Sequence, residues 1–277
     1  MEQRSLGRTG RHVSAIGLGT WQLGADWGVV SEDDARAVLA ASVDRGVNLF
    51  DTADVYGDGR SESLIGEFLA ERHERKVTVA TKMGRRVAQE PENYTPEAFR
   101  SWVDRSRENL RTDTLDLVQL HCPPTEVIED DATYQALDAL VAEGRMAAYG
   151  VSVETCAQAL AAISHPRVTN IQIILNPFRL KPLDEVLPAA ERAGVAVFAR
   201  VRSHPACCRG STPRVRPSPP TTIARTTATA KRSTRGRPSR AWTSPSESRP
   251  RANCRPPCPS RCRWQPPAWR GRRPAPV

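Results

Sequence analysis

The chain contains five short apolar segments, and each of them stops at a polar or charged residue. The segments span 47–50, 77–81, 115–120, 146–151 and 195–199, and the residues that follow them are Asp51, Lys82, His121, Ser152 and Arg200. Short continuous runs rich in Val, Ile and Leu are typical of strands that are buried on both faces of a parallel sheet. This pattern restricts the chain to the α/β fold class.

Segments with helical spacing of apolar residues alternate with these strands. Ser31 and the three acids after it predict a helix N-terminus, residues 35–45 continue that helix, and Gly46 ends it. Further helices are predicted near 60–72, 95–111, 130–143, 154–164 and 181–193. Strands are predicted near 13–18, 47–51, 76–81, 115–121, 146–152, 168–174 and 194–200, with a hairpin turn at 9–12 before the first of them.

Seven strands alternating with six helices predict a (β/α)8 TIM barrel in residues 1–201 that is truncated after its seventh strand. An open doubly wound sheet is the alternative, but it requires a point at which the strand order reverses. The polar strand ends continue along the chain without such a point. Because the C-terminal ends of barrel strands meet at one rim, the polar residues that follow the strands are predicted to share one pocket.

The composition changes abruptly after Val201. Residues 202–277 hold 15 of the 23 prolines, 17 arginines and one acid, Glu247, and they contain no Leu, Phe, Tyr or Met. Such a segment buries too little apolar area to offset its ordering entropy, so a disordered tail is predicted. The net charge of +9 therefore divides into +17 for this tail and −8 for residues 1–201.

The basic tail raises the question of nucleic-acid or metal binding. Trp242, Trp264 and Trp269 lie among its arginines, and basic segments bind nucleic acid electrostatically. A basic nucleic-acid-binding protein is therefore kept as an alternative. Specific recognition is not predicted, because the tail has no fold to present these side chains. Its cysteines at 254, 258 and 262 fit no usual zinc spacing, so no metal site is predicted.

Cysteine usage and hydropathy bear on the compartment. Cys122 and Cys156 are isolated in residues 1–201, which favours a reducing compartment without a disulfide framework. No apolar stretch approaches the about 20 residues of a membrane span. The first residues also lack the apolar core of a signal peptide. A cytoplasmic protein with no membrane partner is predicted.

The segment RGVNLFDTADVYG at 45–57 is the most specific motif in the chain. It resembles the signature of the aldo-keto reductase family, in which an Asp at a strand end precedes the catalytic Tyr by five positions. Asp51 and Tyr56 stand at those positions, and Lys82 and His121 after the next two strands complete the family's catalytic tetrad. The resemblance covers residues 3–201.

The resemblance implies an NAD(P)H-dependent oxidoreductase that interconverts an aldehyde or ketone and an alcohol, with NADPH as the cofactor and a small molecule as the substrate. The cofactor-binding positions that it implies are Gly19, Thr20, Trp21, Asp51, Ser152, Gln172 and Arg200. Ser152 and Gln172 have a simpler interpretation as strand-end caps. Trp21 and Trp27 either line the substrate mouth or pack as part of the core or a lid.

The chemistry explains why these residue types occur together. Carbonyl reduction needs a hydride, which a nicotinamide supplies, and a proton for the developing alkoxide. A free phenol, with a pKa of about 10, donates poorly at neutral pH, but a nearby ammonium stabilises the phenolate. Tyr56 is therefore the predicted general acid/base, assisted by Lys82 and Asp51. His121 is predicted to donate a hydrogen bond to the substrate oxygen.

Two features depart from the family pattern. The family usually follows the Ser with an Asn that holds the carboxamide, whereas Val153 stands here. In the family, the loops after the seventh strand and the eighth β/α unit bind the pyrophosphate and the adenosine 2′-phosphate. Nothing after Val201 matches those segments.

A one-base deletion explains the tail. The codons for residues 199–206 can be written GCC CGC GTC CGC TCG CAT CCG GC, and restoring one C in the third codon changes the translation to ARVPLASG. That string resembles the loop that family members carry after the seventh strand. Residues 202–277 are therefore predicted to be a frameshift product. A competing hypothesis is that this literal chain is a catalytically inactive remnant of such an enzyme.

Overall fold

The computed structural model of the protein describes residues 1–24, 28, 30–72 and 77–200. The predictions made for Trp27 and for residues 202–277 lie outside this part of the chain. Those predictions include the disordered tail, its nucleic-acid binding and its origin in a frameshift.

Seven parallel strands form one sheet and follow one another in chain order. An antiparallel hairpin of β1 (Gln3–Ser5) and β2 (His12–Ser14) precedes them. The sheet consists of β3 (Leu18–Gly19), β4 (Leu49–Asp51), β5 (Thr78–Met83), β6 (Leu117–His121), β7 (Tyr149–Ser152), β8 (Asn170–Ile174) and β9 (Ala196–Arg200). Because each strand pairs with its predecessor and the order never reverses, the predicted barrel topology is confirmed over the doubly wound alternative.

A contact between distant strands shows that the sheet curls. β4 and β8 are four strand spacings apart in the sheet order, which corresponds to about 19 Å in a flat sheet. The Gln172 Nε2 on β8 nevertheless donates to the Asp51 Oδ1 on β4 at 2.8 Å. The sheet therefore bends into a partial barrel with both side chains on its inner side.

Helices alternate with the strands and pack on the outside of the sheet. They are α1 (Glu32–Asp44), α2 (Arg60–Arg72), α3 (Pro96–Leu110), α4 (Thr125–Glu129), α5 (Asp131–Ala142), α6 (Cys156–Ser164), α7 (Lys181–Asp184) and α8 (Val186–Ala193). Side chains at the N-caps of α1, α3, α5 and α6 accept hydrogen bonds from backbone N–H groups, and these caps are Ser31, Thr95, Asp130 and Thr155. Such caps satisfy donors that the first helical turn leaves free and so fix the helix starts.

The strand predicted at 13–18 is wrong. Val13 belongs to hairpin strand β2, whereas Leu18 begins the first strand of the barrel sheet. The chain bends between them, and the Ser14 hydroxyl donates to the Ile16 carbonyl at 2.8 Å in this bend. A single apolar run in the sequence therefore serves two different sheets.

The hairpin covers the N-terminal end of the barrel. Leu6, at 1% exposure, and Val13 join an interior cluster with Leu49, Ala80, Leu117 and Ala148. The Arg8 Nε donates to the carbonyl at the end of α8, Ala193, at 2.8 Å. On another side, Arg11 forms an ion pair of 2.6 Å with Asp116 just before β6. The hairpin thus bridges strands that are distant in the sheet.

Two predicted helices differ from the structure. The predicted helix at 181–193 is divided at Glu185 into α7 and α8. Pro188 has no N–H to donate to the carbonyl of residue 184, and its ring crowds that carbonyl, so a continuous helix is disfavoured. The short helix α4 before the predicted helix at 130–143 was not predicted, because five residues are too few for a clear apolar period.

Candidate functional site

The polar residues that follow the strands gather at one rim of the partial barrel, as the pattern of apolar segments predicts. Asp51 ends β4, His121 ends β6, Ser152 ends β7 and Arg200 ends β9. In the parallel register, His121 pairs with Ser152 and Ser152 pairs with Gln172, so these three residues lie level on neighbouring strands. The rim is therefore built by strand register, and loop conformation is needed only for Tyr56.

Lys82 and Asp51 form an ion pair at the centre of the rim, in which the lysine is buried and the carboxylate is partly exposed. The Lys82 Nζ lies 2.9 Å from the Asp51 Oδ1, and the lysine side chain is 1% exposed. Nζ also donates to the Thr52 carbonyl at 2.7 Å. Burial by itself lowers the pKa of Lys82, but Asp51 and then Tyr56 outweigh burial, and the net direction of the pKa is upward. Lys82 is therefore a permanent cation beside the phenol.

Tyr56 lies in the loop between β4 and α2. Its N–H donates to the Ala53 carbonyl at 3.1 Å, and its carbonyl accepts from the Ser61 N–H at 3.2 Å. Gly24 and Gly57 touch across this loop, since a Cβ on Gly24 would lie 2.6 Å from the Gly57 nitrogen. Gly57 also has a φ of +60°, a backbone conformation that favours glycine. The loop is thus held against the turn that contains Trp21.

Three groups surround the Tyr56 ring. The Lys82 Nζ lies 5.2 Å from its centroid. The His121 ring stands edge-on to it with centroids 6.0 Å apart. The Trp21 ring stacks on it at 6.2 Å, with an interplanar angle of 28°. The structure therefore brings Asp51, Tyr56, Lys82 and His121 together at one place.

His121 is a neutral imidazole in this setting. It is 9% exposed, and burial, followed by the charges of Lys82, Arg85 and Arg200, holds the pKa of His121 well below its usual range. Its Nδ1 has no hydrogen-bond partner among the described residues. A neutral imidazole surrounded by cations is a hydrogen-bond donor for a developing oxyanion and does not itself carry charge.

A chain of polar contacts continues from Asp51 around the rim. Gln172 donates to Asp51 and accepts from the Ser152 hydroxyl at 3.3 Å. The Ser152 Oγ lies 3.5 Å from the Cys122 Sγ, which the Arg200 Nη2 contacts at 3.6 Å. Arg200 also donates to the Val153 carbonyl at 3.3 Å. Four predicted cofactor-site residues, Asp51, Gln172, Ser152 and Arg200, therefore lie along one connected edge of the rim.

Cys122 is a member of this edge that the sequence reasoning did not assign to the site. It directly follows His121 and has a φ of +52°, which is uncommon for a residue other than glycine. Its position after the strand-end histidine was the available signal. The left-handed backbone turns its side chain toward Ser152 and Arg200 instead of continuing the strand.

The predicted cofactor positions on β3 have different environments. Gly19 is exposed at the strand end, and a Cβ there would meet nothing within 4 Å. Thr20 is buried, and its hydroxyl donates to the Asp51 carbonyl at 3.0 Å while accepting from Ser61 at 2.9 Å. Trp21 is 45% exposed at the mouth of the site. Thr20 thus anchors β3 to β4, and Gly19 leaves open space beside it.

A second group of charged residues lies behind the Tyr56 loop and was also missed. Asp54 is 1% exposed, and Glu62 is fully buried on α2. Glu62 accepts from the Thr81 hydroxyl at 2.5 Å and from the Asn109 Nδ2 at 2.9 Å. Acids on loops and helix starts are usually solvated caps, so nothing in the residue pattern indicated that these two are buried.

Among the described residues, no group of three or more His, Cys, Asp or Glu side chains is arranged to hold a metal ion. Within the same part of the chain, none of the helices combines the length and apolarity needed to cross a bilayer.

The sequence model of the aldo/keto reductase family matches residues 15–201. Aldo-keto reductase YhdN of Bacillus subtilis is 34% identical over 202 residues, which are 69% of this chain and 59% of that protein. The uncharacterized oxidoreductase YqkF of the same bacterium is 30% identical over 206 residues, or 72% of this chain and 64% of the relative. This chain spans less than two thirds of the length of both relatives.

Solved structures share the fold. The holo form of aldo-keto reductase AKR11C1 from Bacillus halodurans has a TM-score of 0.64 at 30% identity and is matched over 73% of this chain and 66% of that one. An aldo-keto reductase from Klebsiella pneumoniae in complex with NADPH has a TM-score of 0.60 at 26% identity, over 72% of this chain and 68% of its own. Both likenesses agree with the parallel strand order and the curled sheet.

Proposed function

Because this chain belongs to the aldo/keto reductase family, we propose that its rim carries out NADPH-dependent interconversion of an aldehyde or ketone and an alcohol, with Tyr56 as the general acid/base. The observation that carries the proposal is the cluster of Lys82, Asp51 and His121 around the Tyr56 ring. The NADPH complex of the Klebsiella relative supports the choice of cofactor.

The proton donor follows from the charges around Tyr56. Lys82 is buried, cationic and close to the phenol, so it stabilises the phenolate that remains after proton donation. Asp51 keeps the ammonium charged and in place through the 2.9 Å ion pair. His121 is neutral and donates a hydrogen bond to the carbonyl oxygen of the substrate. Tyr56 then protonates the oxygen as the alkoxide develops.

The residues at the rim fit a nicotinamide. Arg200 has a buried Nε without a hydrogen-bond partner among the described residues, and Gly19 faces open space. Ser152 and Gln172 are already joined to Asp51 and so form a fixed polar edge for the carboxamide. NADPH supplies the hydride when it is bound. We further propose that the protein is cytoplasmic and that its substrate is a small molecule.

The test is the Tyr56→Phe variant of the full chain. Removal of the hydroxyl is expected to lower carbonyl reduction by about 10²–10⁴-fold, the usual contribution of a general acid, while NADPH binding stays measurable. Tyr134→Phe is the matched control, because that phenol donates to the Ile128 carbonyl away from the rim. Turnover by Tyr56→Phe at the rate of the parent chain would remove Tyr56 from the proposed role.

The inactive remnant is the second candidate, and the length of the match favours it. The family model ends at residue 201, and this chain spans less than two thirds of the two relatives. This hypothesis predicts that saturating NADPH leaves the melting temperature of the full chain unchanged, since a ligand stabilises only a state that binds it. A clear upward shift in the melting temperature would argue against it.

A further inference from the structure

The loop that carries Tyr56 also carries a buried acid, Asp54. Asp54 precedes Tyr56 by two residues, and its N–H donates to the Lys82 carbonyl at 3.0 Å. Its Oδ1 is buried and has no hydrogen-bond partner among the described residues. The Arg105 Nη1 on α3 is also buried and has no hydrogen-bond partner among the described residues. An acceptor and a donor of opposite charge therefore lie in one cluster without being bonded to each other.

The groups that face Asp54 come from four places. Glu62 on α2 and Asp58 in the loop are acids, Arg105 on α3 is a cation, and Tyr94 lies just before α3. Asp58 also forms an ion pair with a second cation, Arg86. Burial first and the Glu62 charge second raise the pKa of Asp54 to about 7, against a smaller lowering by Arg105. Asp54 thus changes charge near neutral pH while the acid beside it is held by Thr81 and Asn109.

Arg105 has two arrangements available to it. At present its Nη2 donates to the Asp58 carbonyl at 2.7 Å and to the Asp58 Oδ1 at 3.1 Å. A protonated Asp54 has no charge that would attract the guanidinium away from Asp58. An ionised Asp54 offers a buried carboxylate, and a charge-assisted hydrogen bond to a buried acid is stronger than one to a mostly exposed carboxylate such as Asp58.

We propose that Asp54 is a positioning residue that holds the Tyr56 loop in its reactive place only while it is protonated. Loss of the proton draws Arg105 from Asp58 toward Asp54. This movement shifts residues 54–58, the segment that contains Tyr56. The inference rests on the proposed role of Tyr56. It adds a control of that role by a residue that touches neither substrate nor cofactor.

The first test is the pH profile of kcat/KM for carbonyl reduction by the full chain. Above its midpoint near neutral pH, the parent chain should lose about tenfold per pH unit, as for one essential proton. Asp54→Asn, an isosteric side chain that cannot ionise, should keep its activity level through this range. Asp113→Asn removes an exposed acid elsewhere and should leave the profile unchanged. A profile that Asp54→Asn does not alter would overturn the proposal.

Arg105→Gln guards against a folding failure of the first variant. It removes the group that moves, so the loss of activity near neutral pH should disappear in this variant also. Unaltered loss of activity in Arg105→Gln would count against the mechanism. A merely structural role of either residue would lower activity at every pH without changing the shape of the profile.

A fluorescence titration separates this inference from the proposed function. Trp21 stacks on Tyr56, so displacement of the loop changes its emission. The difference in emission between the full chain and its Trp21→Phe variant should titrate near neutral pH, and the titration should vanish in an Asp54→Asn background. Absence of turnover at all pH values would refute the proposed function alone. A flat emission difference in the parent background would refute the inference alone.

Discussion

At the scale of single residues, the rim depends on one buried ion pair. Lys82 is 1% exposed, and its ammonium is bound by Asp51 and by the Thr52 carbonyl. Removal of one partner from such a pair leaves an uncompensated charge, which typically costs about 3–5 kcal/mol of stability. The pair and the Gln172 amide therefore form a unit in which the effect of one substitution depends on the others.

This dependence predicts strong coupling between Asp51 and Lys82. Lys82→Met and Asp51→Asn should each destabilise the full chain, and the double variant should cost less than the sum of the two by about 1–3 kcal/mol. The measurement is the free energy of unfolding in urea for the four chains. An exposed pair, Arg4 and Glu2, is the control cycle and should show coupling within about 1 kcal/mol. Additive losses at Asp51 and Lys82 would contradict the buried pair.

The lowered pKa of His121 predicts that the stability of the fold depends on pH. Burial holds its pKa well below the ordinary value in the folded state, so the unfolded chain binds a proton first as the pH falls. Stability contributed by the neutral imidazole is therefore complete above the unfolded pKa of about 6.5 and declines below it. His121→Gln should reduce this decline between about pH 7.5 and about pH 5 in thermal melts. The exposed His12→Gln is the control, and an equal decline in His121→Gln would contradict the neutral state.

The positions of the site residues along the chain explain which of them could be predicted from the sequence. Asp51, His121, Ser152 and Arg200 end strands, so a pattern of apolar runs was sufficient to find them. Cys122 was not predicted as a site residue because its place there depends on a left-handed backbone conformation, which its residue type does not indicate. Asp54 and Glu62 escaped because their burial arises from the packing of α2 and α3 behind the loop, which only tertiary structure contains.

At the scale of elements, the seven-strand alternation was predictable because most strands lie in compact apolar runs and four of the helices begin at a capping side chain. The errors lie where a boundary depends on contacts from elsewhere. The run at 13–18 divides between β2 and β3 because the hairpin pairs within itself and packs across the barrel bottom. The division of α7 from α8 follows instead from one local residue, Pro188, which the sequence analysis did not use.

The hairpin predicts a testable contribution to stability. Leu6 is 1% exposed among apolar side chains from four strands of the sheet, so Leu6→Ala should lower the free energy of unfolding by about 2–5 kcal/mol. Leu160→Ala on α6 is the matched control, because that leucine is 38% exposed and should change stability by about 0.5 kcal/mol or less. Urea unfolding measures both. Equal effects of the two substitutions would show that the hairpin does not seal the barrel.

At the scale of the whole molecule, the described chain contains the residues proposed for catalysis, and its sheet ends with β3 on one side and β9 on the other. An edge strand that lacks a neighbour is a site for unwanted pairing. The family loops that bind the cofactor's phosphates follow the seventh strand, and the match to the family model stops at residue 201. The proposed catalytic groups thus lie before this position, and the segments to which the family resemblance assigns phosphate binding would lie after it.

This division predicts that restoring one base in the codon region for residues 199–204 changes cofactor affinity much more than it changes the rim. Charge-assisted hydrogen bonds contribute about 1.5–3 kcal/mol each, so a gain of two phosphate contacts should tighten NADPH binding by about 10²-fold or more. Calorimetric titration of NADPH into the present chain and into the restored-frame chain measures the difference in cofactor affinity. The Tyr56→Phe variant of the restored chain is the control and should bind NADPH as tightly as its parent, because the phenol serves the proton transfer. Equal affinity in the two reading frames would mean that the restored segment adds no contacts to the cofactor's phosphates.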